Sequence, residues 1–157
     1  MKHLALVVVM MITSTFTFSQ HIGKVYIGNS MEKTIEQCNE LGYELVTKDK
    51  DYLKFFVPNN NETYDFDITL LLFASPESKT IWFGVMTFDT ENKKEKKMLF
   101  RSMSSLLEDK HGNPYQKRRK SIKWDTGHSF VYIENTKKGV KYTVISTGSF
   151  FKVEGEF

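Results

Sequence analysis

Residues 63–89 read TYDFDITLLLFASPESKTIWFGVMTFD. From Thr63 to Ala74 the residues alternate. Tyr64, Phe66, Ile68, Leu70 and Leu72 share one face, while Asp65, Asp67 and Thr69 share the other until Leu71 and Phe73 make that side apolar too. A period of two is the mark of a strand. Ser75-Pro76-Glu77-Ser78-Lys79 is a turn, and Thr80 to Asp89 returns as a strand apolar on both faces. Strands that are apolar on both sides belong in the middle of a sheet. This hairpin therefore predicts a central antiparallel pair.

Toward the N-terminus, Tyr43–Thr47 and Tyr52–Val57 flank the charged turn Lys48-Asp49-Lys50-Asp51 and read as a second hairpin. Before it, Met31, Ile35, Cys38 and Leu41 recur at helical spacing. Asn29 or Ser30 is placed to cap that helix and Gly42 to stop it. Gln20 to Gly28 reads as a short lead-in with Val25 to Ile27 extended. Toward the C-terminus, a second helix is predicted from about Glu91 to Lys110. Its stripe is Leu99, Met103, Leu106 and Leu107, helped by Phe100, and Gly112 and Pro114 end it. Ile122–Asp125, His128–Glu134 and Val140–Thr147 are the remaining strands, and the end from Gly148 to Phe157 is left unassigned. The expected fold is α+β in the order α-β-β-β-β-α-β-β-β. It comprises two helix-then-antiparallel units sharing one sheet, with both helices packed on one face because each has a single apolar stripe to bury.

The chain begins with Lys2 and His3, an unbroken apolar run from Leu4 to Ile12, and a small polar stretch from Thr13 to Ser19. These are the three parts of a secretory signal peptide. The run is far shorter than the ~20 residues that span a bilayer as a helix. Residues 1–19 are therefore expected to be removed, leaving 20–157 as a single domain that is periplasmic or secreted, with no transmembrane helix. The length of 157 residues suits one domain, 14% aromatic content supplies a core, and a net charge of +3 demands no polyanionic partner. The single cysteine, Cys38, forms no internal disulfide and sits on the apolar face of its helix, as a buried inert thiol would.

Several segments together carry a resemblance: the export signal ending in Phe18-Ser19-Gln20, the helix end Leu41-Gly42-Tyr43, the turn Ser75 to Thr80, and Lys110-His111-Gly112-Asn113-Pro114 before a tryptophan strand. They resemble a group of small secreted Bacteroidetes proteins of unknown function. The resemblance implies an exported α+β domain similar in outline to β-lactamase-inhibitor-protein-like folds, and it carries over no catalytic residue. Likeness of architecture does not fix function.

Motifs of catalysis are sparse. The four histidines (His3, His21, His111 and His128) lack metal-ligand spacing, and there is no nucleophile elbow or phosphate loop. His111 lies where its cationic form suits a helix C-terminus. Asp65 and Asp67 share a strand face, which suits either a calcium or acid/base pair or a solvated strand end. Two basic groups stand out, Lys93, Lys94, Lys96 and Lys97, and Lys117, Arg118, Arg119, Lys120 and Lys123. They read either as a contact for an anionic polymer or acidic protein, or as solvated surface. Nucleic acid is disfavoured, since the basic residues are not interleaved with stacking aromatics. No cofactor is called for.

The functional expectation is an exported, non-enzymatic binding or accessory protein of the envelope whose partner is an envelope or extracellular protein. The alternative is a small envelope-acting hydrolase without a motif-borne active site. Candidate partner-binding residues are Phe73, Trp82, Met86, Tyr132 and Tyr142, read as large side chains on the sheet face away from the helices. The competing reading has Phe150, Phe151 and Phe157 covering that face, or the face being core.

Overall fold

The computed structural model describes residues 21–59 and 66–147. The segment expected to be a signal peptide, Asp65 and the tail from Gly148 lie outside the described residues. The fold is α+β: among the described residues it comprises a small hairpin, two helices and a large antiparallel sheet. In chain order the elements are β1 (His21–Ile22), β2 (Val25–Tyr26), α1 (Met31–Glu40), β3 (Glu44–Lys48), β4 (Tyr52–Val57), β5 (Asp67–Ala74), β6 (Ile81–Asp89), α2 (Lys93–His111), β7 (Gln116–Lys117), β8 (Ser121–Asp125), β9 (Ser129–Asn135) and β10 (Gly139–Ser146). The sheet order is β3-β4-β5-β6-β10-β9-β8-β7, and every neighbouring pair is antiparallel. Two four-stranded meanders, each preceded by a helix, thus meet at a β6–β10 seam. Two short elements, the β1–β2 hairpin and β7, add to the expected order.

Capping explains where the helices start. Ser30 Oγ accepts from the Lys33 amide at 3.3 Å, and Asn92 Oδ1 accepts from the Lys94 and Glu95 amides at 3.0 and 3.3 Å. These side chains satisfy donors that the first helical turn leaves without partners. Both helices stop at glycines in the left-handed region, Gly42 and Gly112, each at φ 75°. Helix α2 buries Leu99, Met103 and Leu107, and Leu106 is only partly buried. Trp124 of β8 is 1% exposed, and its indole N–H donates to the Gly112 carbonyl at 3.1 Å, tying the end of α2 to the sheet.

Register sorts the sheet into two unlike faces. On the inner face, Leu53, Phe55 and Val57 of β4, Ile68, Leu70 and Leu72 of β5, and Met86 and Phe88 of β6 are buried. So are Val140, Tyr142 and Val144 of β10, Val131 and Ile133 of β9, and Ile122 and Trp124 of β8. They form one apolar cluster with Leu99, Met103 and Leu107 of α2, Met31 and Cys38 of α1, and Ile22, Val25 and Ile27. The segment read as a lead-in is therefore part of the core. Ile22 rests on Gly84, where a Cβ would come within 3.0 Å of the Ile22 side chain. A flat spot on β6 makes room for the hairpin.

Candidate binding interface

The outer face is organised in rows across the strands. One row runs Tyr52, Phe73, Phe83, Ile145 and Phe130, each opposite the next. The adjacent row runs Lys54, Leu71, Val85, Thr143, Tyr132 and Lys123. Ring pairs form at both ends of the first row. Phe73 and Phe83 stack with centroids 5.0 Å apart, Tyr52 lies 6.1 Å from Phe73, and Phe130 lies 6.4 Å from both Tyr132 and Tyr115. Cross-strand aromatic pairs of this kind stiffen a sheet. Apart from Val85, which is buried, these side chains are half-buried, and Phe56 and Tyr115 at the margins are exposed. An apolar band thus crosses five strands and meets charge at its rim. Lys54 stands on one side and Lys123, Lys141 and Glu134 on the other.

The five sequence-selected residues separate. Phe73 and Tyr132 lie on the outer face. Lys123 Nζ sits 5.0 Å from the Tyr132 ring centroid, a cation–π contact, and burial together with the neighbouring Tyr115 hydroxyl pushes the Tyr132 phenol up. Trp82 is partly exposed beside Phe83, with ring centroids 5.5 Å apart. Met86 and Tyr142 do not belong to this face. They pair with each other across the seam on the inner side, 1% and 2% exposed, and burial pushes the Tyr142 phenol up. The cause is a bulge. Phe73 pairs with Phe83 but Ala74 pairs with Ile81, so Trp82 is an inserted residue. Counting by twos from Trp82 reaches Met86, whereas the outward residues of β6 are Phe83, Val85 and Thr87. Tyr52, Phe83, Phe130 and Ile145 were missed by the sequence reading. A count across the hairpin from Ala74 and Ile81 sets Phe73 opposite Trp82, so the bulge hid Phe83 from any local reading.

Polar residues do not converge on this face. Asp67 pairs with Asp89, which pairs with Gly139, whereas His128 precedes Ser129, which pairs with Ser146. The seven residue-to-residue steps from Gly139 to Ser146 separate His128 from Asp67 by about 23 Å of strand. Asp67 and Asp89 instead border an open recess of about 760 Å³ with Thr90, Asn92, Lys96 and Lys138. Among the described residues no group of three or more His, Cys, Asp or Glu could hold a metal. Cys38 is fully buried, and burial lifts its thiol to about 12, so it is protonated and inert at neutral pH.

His111 departs from its expected role. Burial first, and then the Lys110 cation, pull its pKa from 6.5 down to about 4, so at neutral pH no positive imidazole faces the helix end. Between those two values the unfolded chain binds more protons than the folded one. The contribution is present above pH 6.5 and is lost as pH falls toward 4. His111→Gln is expected to flatten the fall of Tm across this window, measured beside the parent in matched buffers. Parallel curves would show that His111 keeps its proton equilibrium on folding.

Among the described residues, two helices and a large antiparallel sheet define an α+β class. No family model, no curated protein and no solved structure matches the chain.

Proposed function

We propose that this is an exported, non-enzymatic binding protein that holds a protein partner of the bacterial envelope on the outer face of its sheet. The observation that carries the reading is the half-buried, largely aromatic band Tyr52–Phe73–Phe83–Ile145–Phe130, flanked by Lys54, Lys123, Lys141 and Glu134. Rigid rings on a sheet lose little entropy on binding, and an apolar centre with a charged rim is the anatomy of protein interfaces. At about 4.8 Å per strand and 3.3 Å per residue, the outer face offers roughly 700 Å², close to one side of a standard protein–protein contact. This scale fits a protein better than a small molecule.

Two further elements complete the proposal. Both helices lie on the inner face, which is supported by the membership of the α1 residues Met31 and Cys38 and the α2 residues Leu99, Met103 and Leu107 in one cluster with the inner sheet residues. Export to the periplasm or beyond is supported by the Lys2 to Ser19 pattern. The likeness to small secreted Bacteroidetes proteins points the same way.

The test places a photo-crosslinking amino acid at Phe73, at Phe130 and, as a control, at Glu36 on the exposed side of α1. Both outer-face positions are expected to yield the same discrete protein adduct, and Glu36 none. Phe73→Ser and Phe130→Ser, with unchanged circular dichroism, should weaken binding of the purified partner about tenfold or more, as loss of an interface anchor does. Adducts only within the chain, to residues 148–157, or equal yields at Glu36 would overturn the reading.

A further inference from the structure

The second basic group is divided by the fold. Lys123 turns to the outer face over Tyr132. Lys117, Arg118 and Arg119 instead meet helix α2 across an open cleft of about 600 Å³, together with Phe100, Arg101, Ser104, Ser105, Glu108 and Ile122. We propose that this cleft is a binding site for a phosphate ester.

The geometry explains why these residues meet. Arg101, Ser104, Ser105 and Glu108 stand at i, i+3, i+4 and i+7, so they share one flank of α2. Opposite them, Arg118 and Ser121 exchange backbone hydrogen bonds of 2.8 and 3.4 Å, closing a tight turn between β7 and β8 that presents adjacent arginines. Phe100 and Ile122 belong to the apolar side of the cleft, where Ile122 is only 2% exposed.

The charges are unevenly satisfied. Lys117 is held by Glu108, so those two largely cancel. Among the described residues Arg101, Arg118 and Arg119 make no ion pair. The Gln116 side-chain amide, with its oxygen turned to the guanidinium, lies 2.9 and 3.0 Å from Arg118 Nη2 and Nε, orienting that side chain without neutralising it. Three permanent cations around one cleft repel each other until an anion enters. A guanidinium fork matches phosphate oxygens in pairs, and the Ser104 and Ser105 hydroxyls are neutral donors on the facing wall. Glu108 disfavours an anion at its own end, which places the phosphate toward Arg101, Arg118 and Arg119. The apolar side then lies against the organic part of the ester. Nothing here depends on the outer-face partner, because the cleft and the aromatic band use different residues.

The experiment titrates the purified protein with phenyl phosphate at constant ionic strength, following the backbone amide shifts of Ser104, Ser105, Arg118 and Arg119 by NMR. It is run in parallel with flotation on vesicles of phosphatidylcholine with and without phosphatidic acid. Saturable shifts at those amides are expected. Arg118→Gln together with Arg119→Gln should weaken affinity about tenfold or more, the scale of losing charge-assisted hydrogen bonds. Lys93→Gln with Lys94→Gln removes equal charge at the far end of α2 and should change it by less than about twofold. Arginine-dependent flotation that requires phosphatidic acid identifies a lipid headgroup as the source. Arginine-dependent shifts without flotation identify a soluble phosphate ester. Non-saturable shifts, or equal losses in the arginine and lysine pairs, would reduce the cleft to diffuse surface charge and overturn the proposal.

Discussion

Met103→Asp is expected to abolish folding, whereas Leu106→Asp on the same helix is expected to leave a folded protein. Met103 is fully buried between Leu99 and Leu107 in the core cluster. With 3.6 residues per turn, the three buried positions centre on one direction, and Leu106 and Phe100 fall about 60° to either side of it. Both flanking residues are only partly buried. A carboxylate at Met103 would lie within the apolar cluster, shut off from solvent, and burying it costs several kcal/mol, a large part of the ~5–15 kcal/mol that stabilises a domain. At Leu106 the carboxylate reaches solvent, and the loss should stay near ~1 kcal/mol of apolar contact. Circular dichroism and the soluble fraction on expression separate the two. A Met103→Asp protein that melts like the parent would mean that α2 does not bury this stripe.

The helix stripe illustrates how far periodicity reaches. Spacing alone selected Leu99, Met103, Leu106 and Leu107, because a period of 3.6 is written locally, and the caps and the stopping glycines are local too. The central hairpin was legible for the same reason: the sequence alternates apolar and polar residues from Tyr64 to Leu70. Facing failed where a local count met a non-local event. One inserted residue at Trp82 shifts the parity of β6, so Met86 faces inward. Tyr142 was legible locally: it alternates with Lys141 and Thr143 and so shares the face of Val140 and Val144, the face on which it meets Met86 and Ile133. The outer row of Tyr52, Phe73, Phe83, Ile145 and Phe130 draws on five strands and exists only once the seam order is known. The β1–β2 hairpin was missed because two-residue strands have no period to read. The basic cleft was half legible: the run Lys117 to Lys120 is plain in the sequence, but Arg101 and the two serines join it only because α2 folds over the sheet to face the β7–β8 turn.

Gly139→Ala is expected to be among the most damaging of conservative substitutions, lowering stability by about 3 kcal/mol and Tm by roughly 10 °C. Gly139 opens β10, opposite Asp89 at the end of the seam that joins the two meanders. A Cβ there would fall on the Phe88 carbonyl oxygen, with the Phe88 carbonyl carbon at 2.7 Å and Asp89 Cα at 2.8 Å. The obstacle is backbone, so no rotamer change relieves it, and β10 has to move away from β6. That movement strains the local hydrogen bonds: Thr136 Oγ1 accepts from the Gly139 amide at 3.0 Å, the Thr136 amide donates to the Gly139 carbonyl at 2.9 Å, and the Thr90 amide donates to the Lys138 carbonyl at 3.0 Å. Gly84→Ala is the matched comparison. Its Cβ meets Ile22 at 3.0 Å and Leu72 at 3.1 Å, but both obstacles are side-chain methyls that can give a few tenths of an ångström. The expected loss there is about 1 kcal/mol. Urea or thermal unfolding of both variants beside the parent decides the matter. If Gly139→Ala unfolds with the parent, or Gly84→Ala proves the weaker protein, then the close approach of β10 to β6 does not govern the join between the two halves of the sheet.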